Sequence, residues 1–284
     1  MELGEPAGED IYEAAWARWG DGASGRTAPL RALGVGAAKT GTHSLAAVLR
    51  GAVDAQHEIG ATRAPELALS YRAGGIDQAE LLWRVAQIEA ETGAEVSVSQ
   101  INGFLIEEMV QLHPRALYLM TVRDAGSWLK SMINAILVGR RDPTSVWNRF
   151  RDLRFDVRRH PFEPGDEPLK RRGLHSLEAY LSDWSGHVLR VVAAVPPGRL
   201  MVLPTFAIAR EIPRLAEALG VAPDRLHPEH SHSNAKRYVD SPLDELDPRW
   251  LDQRLKAHSD RLWAGAKERL AGVERDRLEE AIFA

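Results

Sequence analysis

The chain has 284 residues, of which 44% are hydrophobic and 27% are charged, and its formal net charge is −4. This composition is ordinary for a globular protein with one sizeable core, and it excludes a general attraction to nucleic acid or to an anionic membrane. The absence of cysteine excludes disulfides, thiolate metal sites and cysteine nucleophiles. Neither a signal-peptide pattern nor an apolar run of the ~20 residues that a membrane helix needs is present, so we expect a cytoplasmic protein.

The first predicted elements lead to a motif that follows the first strand. Residues 1–29 are predicted as a helix over Asp10–Trp19 and a linker of glycine, serine, threonine and proline over residues 20–29. Residues 30–36 form an apolar run that barely alternates, which predicts a strand buried on both faces. Residues 42–51 have the pattern of a helix. A tight turn of small residues joins the two elements, so the N-terminus of this helix points at the turn.

This turn predicts an anion site. Unpaired N–H groups and the positive end of the helix dipole favour a negatively charged ligand there, and Lys39 adds a full positive charge. In nucleoside triphosphatases the lysine directly follows a glycine, whereas Lys39 precedes Gly41 by two residues, so that pattern fails. An ordinary strand-to-helix turn with an exposed lysine is the alternative. The candidate anion-binding residues are Ala38, Lys39, Thr40, Gly41, Thr42, His43 and Ser44.

A second short extended segment, residues 52–59, carries His57 and Glu58 side by side. In a parallel sheet its carboxyl end would reach the same edge as the anion loop, where ligands of open α/β sheets bind. Because neighbours on a strand point to opposite faces, we expect only one of these two side chains to face a ligand. A surface strand end with solvated polar residues is the alternative.

A second anion motif follows a later strand. Helices are predicted before it over residues 64–72, 77–92 and 102–113, with a strand over residues 94–99. The strand at residues 116–122 leads into Arg123, and a helix follows with Asp124 as its expected N-cap. Ser131 lies eight residues after Arg123, about two helical turns on. An arginine and a helix hydroxyl placed in this way can hold a phosphate by charge-assisted hydrogen bonds. Otherwise Arg123 pairs with a neighbouring carboxylate.

Together the two motifs resemble those of sulfotransferases that use 3′-phosphoadenosine 5′-phosphosulfate (PAPS). The run Lys39-Thr40-Gly41-Thr42 resembles the 5′-phosphosulfate loop of that family. Arg123 and Ser131 match its 3′-phosphate motif in residue type and spacing, and the run from Trp128 to Ser131 is similar to the bacterial members. The resemblance covers roughly residues 30–136.

The resemblance implies sulfuryl transfer from PAPS to a hydroxyl or amine of a small-molecule or carbohydrate acceptor, with adenosine 3′,5′-bisphosphate (PAP) as product and without a metal. Lys39 would neutralise charge on the oxygen that bridges the sulfate and the 5′-phosphate, and Arg123 and Ser131 would fix the 3′-phosphate. The acceptor must lose a proton, so a base is expected. Some members use a histidine, and others use a glutamate on the strand after the first helix. Glu58 is therefore the expected base, and His57 is the alternative.

The remaining segments are predicted as follows. Residues 139–172 are basic and contain four prolines, which is typical of a lid or binding loop, with a solvated basic face as the alternative. Helices are expected over residues 174–195 and 208–219, and a strand over residues 199–203. The resemblance implies that Asn234, Lys236 and Arg237 help to clamp the 3′-phosphate. The nearby histidines do not by themselves indicate a metal, because ligands must converge.

The predicted fold is a single α/β domain over residues 1–284, with three layers and a central parallel sheet of four or five strands flanked by helices. Residues 246–284 form two amphipathic helices that pack on the domain or make an oligomer seam, which leaves a homodimer open. Two other functions also stay open. A P-loop kinase would use ATP and Mg²⁺, and the displaced lysine disfavours it. A non-catalytic nucleotide-binding module would keep the phosphate motifs without a working base.

Overall fold

The computed structural model describes residues 30–139, 142, 144–156, 158–231 and 241–284. The predicted helix over Asp10–Trp19 and the implied clamp of Asn234, Lys236 and Arg237 lie outside the described residues. Within the described ranges, no helix combines the length and the apolar character needed to cross a membrane.

A five-stranded parallel sheet forms the centre of the described chain, with the spatial order β2-β3-β1-β4-β5. In the middle strand, Leu33 lies opposite Ser97 on one side and opposite Tyr118 on the other. The prediction of a parallel sheet of four or five strands is therefore confirmed. The strands are β1 (Ala32–Gly34), β2 (Ala55–His57), β3 (Val96–Val98), β4 (Leu117–Val122) and β5 (Leu200–Pro204).

Helices connect the strands and cover the sheet. Within the described residues they are α1 (Thr42–Leu49), α2 (Arg63–Arg72), α3 (Gln78–Thr92), α4 (Gln100–Phe104), α5 (Ile106–Leu112), α6 (Ala125–Gly139), α7 (Val146–Phe155), α8 (Glu167–Arg171), α9 (Leu177–Ala194), α10 (Ile212–Leu219), α11 (Pro248–Ala266) and α12 (Gly272–Ile282).

The sheet separates two apolar clusters, because successive residues of a strand face opposite sides. In β1, Ala32 belongs to the smaller cluster with residues of α1 and α10, whereas Leu33 belongs to the larger cluster on the other face. In β4, Leu119 and Met120 divide between the clusters in the same way. Helices on both faces of one sheet give the three-layer α/β arrangement that the sequence predicts.

Two helices differ from the prediction at their ends. The helix predicted over residues 102–113 is two helices, α4 and α5, that meet at Leu105. The first begins earlier, because the Ser99 hydroxyl accepts the Ile101 N–H at 3.1 Å and caps it. The helix predicted over residues 208–219 begins only at Ile212, after a 3-10 turn over Thr205–Ala207.

The basic segment 139–172 is predicted as a lid or binding loop, but it contains two helices, α7 and α8. Phe150 and Phe155 of α7 are buried in the larger apolar cluster. Arg172 donates to Glu245 at 2.8 Å, so part of the positive charge is paired within the protein. Part of the segment is therefore scaffold, and its role as a lid stays a prediction.

Candidate active site

The carboxyl ends of all five strands open into one cavity of about 400 Å³. Ligands of open α/β sheets bind at this edge, because loops from several strands meet there. The described lining residues are Ala38, Lys39, Gly41, Thr42, His43 and Ser44 from the loop and α1, His57 and Glu58 from β2 and its end, Gln100 after β3, Arg123, Asp124, Ser127, Ser131, Asn134 and Ala135 from the β4 end and α6, Thr205 and Phe206 after β5, and Ser231.

Two buried side chains hold the backbone of the loop after β1. The Trp128 Nε1–H, in α6, donates to the Ala38 carbonyl at 2.8 Å. The His187 Nε2, in α9, lies 2.7 Å from the Val35 carbonyl oxygen. Burial lowers the pKa of His187 to about 4, so the ring is neutral at pH 7 and donates through Nε2. Both carbonyl groups are therefore engaged by the protein and are not available to repel an anion.

Thr40 supports the loop from behind. Its hydroxyl donates to the Ala37 carbonyl at 2.7 Å and lies 2.8 Å from the Thr121 Oγ1 in β4. The Thr205 hydroxyl lies 2.5 Å from the Thr40 carbonyl oxygen. The Thr40 side chain is only 2% exposed and does not line the cavity. The structure thus places this hydroxyl within the loop, whereas the sequence predicts it as a donor to the ligand.

The loop ends in left-handed backbone. Lys39 has a φ of 69° and Gly41 has a φ of 97°; for a lysine this conformation costs about 1 kcal/mol or more. Gly41 is the N-cap of α1, so the N–H groups of Thr42, His43 and Ser44 in the first turn have no acceptor within the helix. These N–H groups, the helix dipole and the charge of Lys39 together favour a negatively charged ligand, so the anion-binding role of the loop stays a prediction.

The second anion motif faces the same cavity from β4 and α6. Asp124 Oδ1 accepts the Ser127 N–H at 2.7 Å, which confirms the predicted N-cap. The Trp184 Nε1–H donates to the Arg123 carbonyl at 3.0 Å and fixes the backbone at the strand end. Arg123, Ser127 and Ser131 all line the cavity, so a guanidinium and two hydroxyls from this motif meet the anion loop across one space.

His57 and Glu58 both line the cavity, so the expectation that only one of them faces a ligand is wrong. Side chains alternate only within a strand, and β2 ends at His57. Glu58 has a φ of 54°, so the backbone turns at this residue and the alternation is lost. The His57 Nε2 lies 3.9 Å from the Glu58 Oε1.

Hydrogen bonds from the end of β3 hold the Glu58 carboxylate. The Ser99 hydroxyl donates to Oε2 at 2.7 Å, and the Gln100 Nε2 donates to Oε1 at 3.4 Å. Burial raises the pKa of the Glu58 carboxyl, and these hydrogen bonds and the positive charge of Arg154 oppose the rise. A carboxylate with a raised pKa is a stronger base than a solvated one, provided that it is ionised at the working pH.

The pKa of His57 is shifted in the opposite direction from that of Glu58. Burial, together with the nearby His43, Arg50 and Lys39, lowers the pKa of His57 to about 4. Its Nε2 lies 3.1 Å from the Thr42 Oγ1, so the ring shares a hydrogen bond with the first turn of α1. The ring is neutral at pH 7 but is a weak base. The electrostatics therefore favour Glu58 over His57 as a proton acceptor.

A separate cluster could hold a metal ion by its residue types. His227, Glu229 and His230 place one potential ligand atom each within 4.8 Å of one another. The His227 Nδ1 lies 2.9 Å from the Glu229 Oε1, so a hydrogen bond accounts for that contact. The prediction that the protein holds no metal stays a prediction.

Sequence reasoning missed several residues that line the cavity. Gln100 and Thr205 lie just after β3 and β5, where the rule that ligands bind at strand ends could have found them. Asn134 lies three residues after Ser131 in α6, so it shares that face of the helix. Phe206, which is 48% exposed, had no signal beyond its position after a strand.

A family model and a solved structure match the chain. A family model described as a sulfotransferase domain matches residues 31–235, which is more than half of the chain. The crystal structure of a sulfotransferase from Alicyclobacillus acidocaldarius is similar with a TM-score of 0.48 and 18% sequence identity, covering 85% of this chain and 95% of that one. No curated protein matches the chain.

Proposed function

The chain belongs to the sulfotransferase family, and we propose that it transfers a sulfuryl group from PAPS to a hydroxyl or amine of a small-molecule or carbohydrate acceptor. The observation that best supports this donor is that two anion motifs line one cavity: the loop with Lys39, and Arg123 with Ser131. PAPS carries a 5′-phosphosulfate and a 3′-phosphate, so it offers one anionic group to each motif.

The residues present fit this donor. The N–H groups at the start of α1 would hold the phosphosulfate, because they are directed at the loop and lack helical acceptors. The planar guanidinium of Arg123 would hold the 3′-phosphate through two parallel hydrogen bonds, with the Ser131 hydroxyl as a further donor. Nucleotides without a 3′-phosphate would lose the contacts of the second motif.

In the proposed reaction the acceptor oxygen or nitrogen bonds to sulfur while the bond from sulfur to the bridging oxygen breaks. The electron pair of that bond goes to the 5′-phosphate, and Lys39 neutralises the charge that develops there. Glu58 takes the proton that the acceptor loses. As the family resemblance implies, no metal takes part. A cytoplasmic location, a bacterial source and a homodimer stay predictions.

Release of PAP from PAPS, with water or a panel of alcohols, phenols and amines as acceptors, tests the proposal. We expect release without Mg²⁺, and a loss of about 100-fold or more in Glu58→Gln with unchanged affinity for PAP. Wild-type turnover in Glu58→Gln would remove Glu58 from its role as base. Binding of PAP with no release from PAPS would make the protein a binding module, and phosphate transfer from ATP with Mg²⁺ would make it a kinase.

A further inference from the structure

In the wall of the cavity, Gln100 links Glu58 to the buried ion pair of Arg154 and Asp183. The Gln100 Nε2 donates to the Glu58 Oε1 at 3.4 Å, and the Arg154 Nη1 donates to the Gln100 Oε1 at 2.7 Å. The Arg154 Nε lies 3.2 Å from the Asp183 Oδ1, and its Nη2 lies 2.5 Å from Oδ2. The side chains of Arg154 and Asp183 are only 5% and 3% exposed. A buried two-point ion pair of this kind holds its arginine in one place.

The ion pair fixes which way the Gln100 amide points. A guanidinium has five N–H donors and no acceptor, so the group of Gln100 that faces Arg154 must be the carbonyl oxygen. The Gln100 NH₂ group must then face Glu58, where it can only donate. Rotation of the amide would place NH₂ against the guanidinium and the carbonyl oxygen against the carboxylate, and both contacts would be repulsive. Asp183 holds Arg154, and Arg154 in turn fixes the Gln100 amide with its NH₂ group toward Glu58.

The chain brings these groups together from four elements. Glu58 follows β2, Gln100 begins α4, Arg154 is in α7 and Asp183 is in α9. Arg154 and Asp183 would be enough to join α7 to α9. Arg154 also bonds to Gln100, and Gln100 lines the cavity together with Glu58. The arrangement thus connects α7 and α9 to the Glu58 carboxylate, which lines the cavity.

We propose that Gln100 is a positioning residue: held by Arg154 and Asp183, it orients the Glu58 carboxylate for proton transfer and favours its ionised form. This role rests on the proposed function of Glu58 as the base. The Gln100 N–H adds a weaker contact to the same Oε1 at 3.5 Å. Ser99 donates to the other oxygen, so both oxygens of the Glu58 carboxylate accept hydrogen bonds from the end of β3.

The groups that can influence the protonation of Glu58 come from several elements. Lys39 and His43 face the cavity from the loop and α1, and His57 lies beside Glu58 at 3.9 Å. Arg123 and Asp124 face the cavity from the β4 end. Arg154, whose positive charge also acts on Glu58, belongs to the Gln100 connection. The other groups do not, so a change at Gln100 leaves them in place.

Two variants of Gln100 separate positioning from folding. Gln100→Met keeps the length of the side chain but removes the donor to Glu58 and the acceptor for Arg154. Gln100→Glu also removes the donor, but it keeps an oxygen for Arg154 and so retains the contact that could matter for folding. Gln78→Met is the matched control, because the Gln78 Nε2 donates to the Gln111 Oε1 at 3.0 Å in a pair that does not line the cavity.

The first readout is the pKa of Glu58 itself, followed by carboxyl ¹³C NMR in protein labelled at glutamate, with the resonance assigned by its loss in Glu58→Gln. We expect the pKa to rise by about one unit in Gln100→Met and by more in Gln100→Glu, which adds a like charge. The second readout is the pH profile of PAP release from PAPS with water as acceptor. Its acidic limb should move upward by the same amount, with a fall in rate of about tenfold.

The outcomes distinguish this proposal from the proposed function. An unchanged Glu58 pKa in both variants, or an acidic limb that moves equally in Gln78→Met, would overturn the role of Gln100. A shifted Glu58 pKa with an unmoved acidic limb would also overturn it, because Gln100 would then not act on the reacting base. Failure of the proposed function would instead appear in the unmutated protein, as a lack of PAP binding or of release from PAPS.

Discussion

Replacing Trp128 with phenylalanine removes one hydrogen bond to the loop and leaves most of the apolar packing in place. The indole N–H is the donor to the Ala38 carbonyl, and Trp128 is completely buried. Leaving a buried carbonyl without its partner costs about 1–3 kcal/mol, and the smaller ring adds a cavity term of about 1 kcal/mol. We therefore expect the free energy of unfolding to fall by about 2–4 kcal/mol.

The same change should weaken PAP binding, because the freed Ala38 carbonyl can turn toward the anion. A loss of about 1.4 kcal/mol corresponds to a tenfold rise in Kd, and we expect a change of that order in a calorimetric titration. Tyr118→Phe is the control, because it removes a buried hydroxyl that donates to the Met109 and His113 carbonyls, away from the cavity. Urea unfolding measures the stability of both variants. An unchanged Kd in Trp128→Phe, with a stability loss like that of Tyr118→Phe, would refute the assignment of Trp128 to the loop.

Two further predictions concern charge. Arg123→Lys should raise the Kd for PAP about tenfold and leave the Kd for 5′-AMP nearly unchanged, because an ammonium cannot make two parallel hydrogen bonds to the 3′-phosphate. Equal losses of affinity for both nucleotides in calorimetry would contradict this prediction. Because the folded-state pKa of His57 is about 4, below its ordinary 6.5, the unfolded chain binds more protons between these values, and stability should fall as the pH decreases from 6.5 to 4. His57→Asn should flatten that part of the urea-derived stability profile, and an unaltered slope would show that His57 does not contribute to it.

The parts of the site that the sequence predicts are those built from neighbouring residues. The strand, loop and helix around Lys39 lie within about twenty residues, and apolar runs, small residues and helical periodicity are all local patterns. The spacing of Arg123, Asp124 and Ser131 is likewise fixed by one strand end and one helix. These segments appear in the structure where the patterns predict them.

The parts that the sequence does not predict depend on contacts between distant segments. Thr40 is turned away from the cavity by Thr121, which lies 81 residues further along the chain. The contact of Gln100 with Arg154 spans 54 residues, and no local pattern marks the two as partners. Glu58 reaches the cavity through a positive φ, which propensity does not predict for a glutamate. Hydrogen bonds between distant segments thus hold Thr40 and Gln100, and local sequence patterns do not reveal them.

Calorimetric titration of the unmodified protein with PAP, compared with 5′-AMP and with ATP in the presence and absence of Mg²⁺, tests the central claim most directly. The two anion motifs in one cavity predict tight binding of PAP that does not depend on Mg²⁺, with 5′-AMP bound at least tenfold more weakly because it lacks the 3′-phosphate. Preference for ATP with Mg²⁺, or equal affinity for PAP and 5′-AMP, would contradict the account.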